Sequence, residues 1–249
     1  MDYNPFTLEG KTILITGSSS GIGRATAIEC SRLGAKIIIS GRNVEKLNET
    51  MALLDGNGHL LFPADLTIQS EIDDLINNLP SLDGIVNNAG MMHTVPFAFI
   101  KPEVLNTIFT VNFFAPIYLC QQLVKKKKFR KDASIVFVSA IDGPITAHIG
   151  NSMYAASKGA VTAMAKNMAV DLASKRIRVN CVLPGMTETS LIYSDNITVE
   201  QLNTDMKLYP LKRYGQPAEI AKAIIYFLSD ASSWTTGANL VVDGGYSLL

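Results

Sequence analysis

Tyr154 and Lys158 stand four residues apart in the stretch Tyr154-Ala-Ala-Ser-Lys158. Around them Met153, Ala156, Ala160, Val161, Met164, Met168 and Leu172 recur at three- and four-residue steps, which predicts a helix reaching about Ser174. On a helix that spacing puts the phenol and the ammonium side by side on one face. A free phenol titrates near ~10, and a neighbouring cation favours the phenolate. Bringing the value to about 7 takes about 4 kcal/mol, which one close cation in a partly dry site can supply. The pair is therefore expected to act as a general acid poised near neutral pH. Two such residues at that spacing are common on helices, so the reading rests on what the rest of the chain places around them.

The chain has 249 residues, 47% hydrophobic and 18% charged, enough to bury one large core in a single α/β domain spanning 1–249. Its 22 basic and 22 acidic side chains balance, which gives no electrostatic reason to expect a nucleic acid or an anionic membrane as partner. The basic cluster Lys125 to Lys128 with Arg130 and Lys131 reads as a solvated helix C-terminus, where cations suit the helix dipole. No apolar run near 18 residues and no basic-then-apolar leader are visible, so a cytoplasmic protein is expected. Cys30, Cys120 and Cys181 are far apart and read as buried small hydrophobes; no metal site is indicated.

Several elements must position the pair. Residues 11–16 form a β-branched run, ended by Gly17-Ser18-Ser19-Ser20-Gly21-Ile22-Gly23 and followed by a helical pattern to Leu33. Strand, glycine turn and helix form the context for binding a dinucleotide, with the pyrophosphate on the positive helix N-terminus. Contacts are expected from Gly17, Ser19, Ser20, Gly21, Ile22 and Gly23. Further strands are predicted at 35–40, 59–62, 84–88, 134–138, 176–182 and 239–242. Helices are predicted at 44–54, 68–79, 102–126, 152–174 and 217–229. Seven strands alternating with helices imply a mostly parallel, doubly wound sheet covered on both faces, with its ligand where strand order reverses. Residues 185–215 read as one long irregular stretch, and 186–215 as a substrate lid. The second strand ends Ser40-Gly41-Arg42-Asn43 with no carboxylate to hold ribose hydroxyls, and Arg42 suits a 2′-phosphate. That favours NADP(H) over NAD(H).

With these pieces in place the chain resembles the short-chain dehydrogenase/reductase family, in its single-domain Rossmann type of about 250 residues. The matching motifs run from Thr16 to Gly245. The resemblance implies that the glycine turn holds the cofactor, that Asp65-Leu66 contact the adenine, and that Asn87-Asn88-Ala89-Gly90 brace the central strand beside it. It implies that Asn112 holds a water in a proton relay. It also implies that Pro184 and Gly185, with Thr187 and Thr189, form the loop against the nicotinamide carboxamide. Tyr154 is then the acid that protonates a substrate carbonyl as hydride is transferred, with Lys158 holding the nicotinamide ribose and lowering the tyrosine pKa. Relatives pair through the helix after Val111 and the Tyr154 helix, and through Thr236-Gly237 and Asp243-Gly244-Gly245, so a homotetramer is expected. Phe113, Phe114, Ile117, Tyr118, Leu119 and Leu123 make the first of these helices apolar on more than one face.

One position departs from the family pattern. The family uses a serine after the fifth strand, and its usual place here is Ala140, with Ser139 one step earlier. A one-residue shift on an extended chain turns the side chain to the opposite face, so Ser139 serves only if a bulge rotates it. Asp142 reads as a turn former. The pocket walls are expected from Met91, Met92, His93, Ile141, His148, Ile149, Met186 and Leu191, a mainly apolar set that fits an acyl thioester, a hydrophobic ketone or a steroid-like ring. The leading reading is an NADP(H)-dependent oxidoreductase acting on a carbonyl or secondary alcohol. A nucleotide-binding sensor or partner subunit with little turnover is the alternative that Ala140 motivates.

Overall fold

The computed structural model describes residues 3–189 and 198–249. Its strands are β1 (Thr12–Thr16), β2 (Lys36–Gly41), β3 (Leu60–Pro63), β4 (Leu82–Asn87), β5 (Phe129–Val138), β6 (Arg178–Pro184) and β7 (Asn239–Val242). All are parallel in one sheet of order β3-β2-β1-β4-β5-β6-β7. Alternation along the strands divides the core. Leu14, Ile38, Ile85, Ile135 and Phe137 face one layer, containing α3 (Gln69–Asn78), α5 (Ala115–Lys125) and α6 (Ser152–Leu172). Ile13, Ile15, Ile37, Ile39, Val136 and Val138 face the other, with α1 (Gly21–Arg32), α2 (Val44–Met51) and α8 (Pro217–Leu228). Strand order reverses between β1 and β4, and a cleft opens there at the carboxyl ends of the strands. The three cysteines are buried and free.

Four sequence expectations need correction. The helix predicted over 102–126 is three pieces: α4 (Pro102–Phe109), a π turn (Thr110–Phe114) and α5. Pro116 has no N–H to give the Asn112 carbonyl four residues earlier, so the regular ladder cannot run through this point. Pro102–Lys125 is, by length and composition, apolar enough to cross a bilayer, contrary to the expectation that no such run exists. Here it is the crossover between β4 and β5, with Leu119, Cys120 and Leu123 in the core.

The basic cluster is not a single helix end. After α5 the chain turns through Lys127 at φ 53°, and Arg130 and Lys131 already belong to β5, where Arg130 pairs with Asp83 at 2.7 Å. Finally, the stretch 185–215 contains α7 (Val199–Met206), started by a capping box in which Thr198 and Gln201 satisfy each other's backbone N–H. The Thr-x-x-Gln pattern is legible in the sequence, and the helix anchors a small cluster of Leu202, Tyr209 and Tyr214.

Candidate active site

The cleft, of about 940 Å³, begins at the glycine turn. Gly17 (φ +65°) and Gly21 (φ +54°) adopt left-handed conformations, and a Cβ on Gly17 would lie 2.8 Å from Ala89 Cα. Asn88 fixes this approach by donating its side-chain amide to the carbonyls of Thr16 and Gly17, both at 3.1 Å. Thr16 Oγ1 in turn accepts from the N–H groups of Asn88 and Ala89, so the β1 and β4 ends are tied together. The first N–H groups of α1 are not capped by the Ser20 side chain and no acid stands in the first turn, which leaves a positive helix end facing the cleft. Such a cradle fits the phosphates of a dinucleotide.

Of the expected cofactor contacts, Gly17, Ser19, Ser20, Gly21 and Ile22 line the cleft, as do Arg42, Asp65, Leu66, Asn88, Ala89, Gly90, Pro184, Gly185, Thr187 and Thr189. Gly23 stands behind the turn, where a Cβ would meet the Gly17 carbonyl oxygen at 2.3 Å, so its part is close packing of helix on turn. Arg42 lines the cleft and is 74% exposed, and among the described residues its only ion-pair partner is Asp65, with Nη1 3.8 Å from Oδ2. The loop after β6 folds back over the turn: the Thr189 methyl would lie 3.1 Å from a Cβ on Gly21.

At the other end α6 presents Tyr154 and Lys158 together, as the four-residue spacing predicts. The Tyr154 hydroxyl has no hydrogen-bond partner among the described residues. Lys158 is buried and donates to the Val138 carbonyl at 2.8 Å, with Nζ 5.6 Å from the centre of the Tyr154 ring. Desolvation lowers its pKa to about 8. The expected lowering of the tyrosine pKa is overturned in the protein alone. Burial raises it above its ordinary value, and the Asp142 carboxylate adds to the rise. Lys158, with Nζ 5.6 Å from the ring centre, does not reverse this, and Tyr154 keeps its proton at neutral pH.

One further expectation changes. Ser139 continues the β5 ladder without a bulge, giving its N–H to Val182, and its hydroxyl donates to the Lys158 carbonyl at 3.0 Å. It braces the helix against the strand, its hydroxyl proton going to that carbonyl; both Ser139 and Ala140 line the cleft, Ala140 at the family's serine place. Asn112 is buried, and its side chain grips Met91 at both ends, accepting from the N–H at 2.8 Å and donating to the carbonyl at 2.9 Å. Its other amide proton goes to Ser157 Oγ at 3.0 Å. Both side-chain N–H groups are therefore used by the protein, and the side chain positions Met91.

Met91, Met92, Ile141, His148, Ile149 and Met186 line the substrate end of the cleft, whereas His93 does not, and Leu191 lies outside the described residues. Sequence reasoning missed Leu202, Asp205, Tyr209 and Tyr214, which reach the cleft from α7 and the segment after it. The α7 capping box was the available signal.

The comparisons with known proteins agree with this geometry. A family model described as Enoyl-(Acyl carrier protein) reductase matches residues 17–247. The chain is 34% identical to a 3-oxoacyl-[acyl-carrier-protein] reductase of Rickettsia felis, covering 96% of this chain and 97% of the relative. It is 33% identical to one of Thermotoga maritima, covering 96% and 98%. A crystal structure of a short chain dehydrogenase family protein from Francisella tularensis superposes with a TM-score of 0.84 at 31% identity, over 96% of this chain and 99% of that one. Parallel sheet, glycine turn, tyrosine–lysine helix and full-length similarity together place this chain in the short-chain dehydrogenase/reductase family of oxidoreductases.

Proposed function

We propose that this single-domain protein is a cytoplasmic NADP(H)-dependent carbonyl reductase in which Tyr154 is the proton donor. The observation that carries the reading is the Tyr154 hydroxyl, without a hydrogen-bond partner among the described residues, at the wall of a cleft whose other end is a phosphate cradle. When bound, the nicotinamide supplies the hydride. Tyr154 gives its proton to the carbonyl oxygen as negative charge develops there. Lys158 has ammonium protons beyond the one used by Val138, and these suit the nicotinamide ribose hydroxyls. Asp142 beside Tyr154 disfavours the tyrosinate, which suits the acid needed for reduction more than the base needed for alcohol oxidation. Arg42 supports NADP(H), since no described residue holds its guanidinium closer than Asp65 at 3.8 Å.

The apolar walls suit a carbonyl on an apolar body, and a 3-oxoacyl thioester is the class to which the relatives' names point. Residues 186–215, of which 190–197 lie outside the described residues, serve as the substrate lid in this reading. The exposed Phe114 and Val170, on the two helices through which the family pairs, support a homotetramer. The test is NADPH oxidation over a panel of carbonyls by wild type and Tyr154→Phe. Loss of about 10²–10⁴ in kcat/KM with NADPH binding retained is expected. Tight NADPH binding with no turnover of any carbonyl would instead favour the sensor or partner-subunit reading.

A further inference from the structure

The loop from Ile141 to Asn151 forms one wall of the substrate end, and a line of polar and aromatic contacts runs from it to the opposite wall. Its start lies flat on α6: Gly143 has φ +98°, and a Cβ there would be 2.1 Å from the Ala155 carbonyl oxygen. Asp142, 5% exposed, is held from both sides. Its Oδ2 accepts from Asn151 Nδ2 at 3.1 Å, and Asn151 Oδ1 accepts from Thr94 Oγ1 at 3.0 Å. Its Oδ1 faces His148 Nδ1 at 3.2 Å. The other ring nitrogen of His148 is 3.0 Å from the Tyr246 hydroxyl, and the two rings stack with centroids 5.7 Å apart. Tyr246 packs on Tyr209 at 4.7 Å, and the Tyr209 hydroxyl accepts from the Met186 N–H at 3.1 Å. The line thus joins Ile141 and Ile149 on one wall to Tyr209 and Met186 on the other.

We propose that His148 is a substrate-positioning residue, clamping the 141–151 loop to the C-terminal segment through Asp142 and Tyr246 and so setting the width of the substrate end. As an imidazolium it carries a proton on both nitrogens, one facing the Asp142 carboxylate and the other the Tyr246 hydroxyl. As neutral imidazole it keeps one proton toward Asp142 and accepts from Tyr246, and the buried Asp142 carboxylate loses its cation. The clamp is therefore stronger on the acid side. The groups facing His148 are Asp142 from its own loop, Asp205 from α7 and the Tyr246 phenol, with Tyr209 behind the latter. The Asp142 carboxylate 3.2 Å away lifts the imidazole pKa above its ordinary value, partial burial opposes this, and the charge of Asp205 adds to it.

The kinetic part of this inference rests on the reductase reading; the clamp itself does not. Wild type, His148→Gln and Tyr246→Phe are compared by hydrogen exchange of the 141–151 segment and by steady-state kinetics, at about pH 6 and about pH 9. At the lower pH both variants should exchange this loop about tenfold faster than wild type, with β1 and β5 unchanged, and the gap should narrow at the higher pH. KM for the carbonyl should rise about five- to tenfold in both, while kcat and the KM for NADPH change less than about twofold. Unchanged loop exchange in both variants would overturn the clamp. Faster exchange with an unchanged carbonyl KM would overturn the positioning role. A wild type that reduces no carbonyl, with the loop still loosened in the variants, would refute the reductase reading and the positioning role while the clamp stands.

Discussion

Ala140→Ser gives the sharpest test of how this site works. Along β5, Ile135, Phe137 and then Ile141 share the core layer of α6, and Ser139 belongs to the same face, with its hydroxyl on the Lys158 carbonyl. Val136 and Val138 face the opposite layer, and Ala140 continues that alternation into the cleft. The two positions are therefore not interchangeable, and the substitution adds a hydroxyl at a place that has none. Removing a donor to a developing oxyanion typically costs about 10²–10³ in rate. A donor restored to walls that have not adapted to it should recover a part of that, about tenfold in kcat, or about 1.4 kcal/mol of transition-state stabilisation. The counterpart, Ser139→Ala, removes one buried neutral hydrogen bond. It should lower stability by about 0.5–1.5 kcal/mol in denaturant unfolding while changing kcat less than about threefold. The assay is NADPH oxidation with a carbonyl that wild type reduces. A kcat unmoved by Ala140→Ser, together with a hundredfold loss on Ser139→Ala, would show that Ser139 holds the reacting oxygen and would refute the strand-face argument.

Two more outcomes follow from charges in the cleft. Lys158, with its pKa lowered to about 8 by burial, loses its charge as pH rises through that value, and kcat/KM, which reports the free enzyme, should fall with a single-proton slope above about pH 8. Tyr154 stays protonated through this range because its pKa is raised; a profile flat to about pH 10 would show that the lysine charge is not needed. Arg42→Ala should raise the KM for NADPH about tenfold and leave that for NADH within about twofold, because an exposed guanidinium at the end of β2 can distinguish the two only through the extra phosphate.

Much of this protein was determined locally and is legible in its sequence. β-branched runs alternating with helical periodicity specify a parallel sheet with two covered faces, because burial on both sides leaves near-continuous apolar strands. A glycine turn between strand and helix specifies a phosphate cradle, because only glycine tolerates the positive φ and the close backbone approach seen at Gly17. The four-residue step of Tyr154 and Lys158 specifies that they share a helix face. What tertiary structure alone decided is where each polar group spends its protons. Lys158 turned out to be held by the Val138 carbonyl, Ser139 by the Lys158 carbonyl and Asn112 by Met91, partners 19 to 21 residues away. The Tyr154 pKa likewise depends on burial and on Asp142, which no helical spacing reports. The Asp142–His148–Tyr246 line joins residues 98 positions apart. Hydrogen bonds and desolvation act over a few ångströms in space, so their pattern emerges only once the sheet has brought distant segments together.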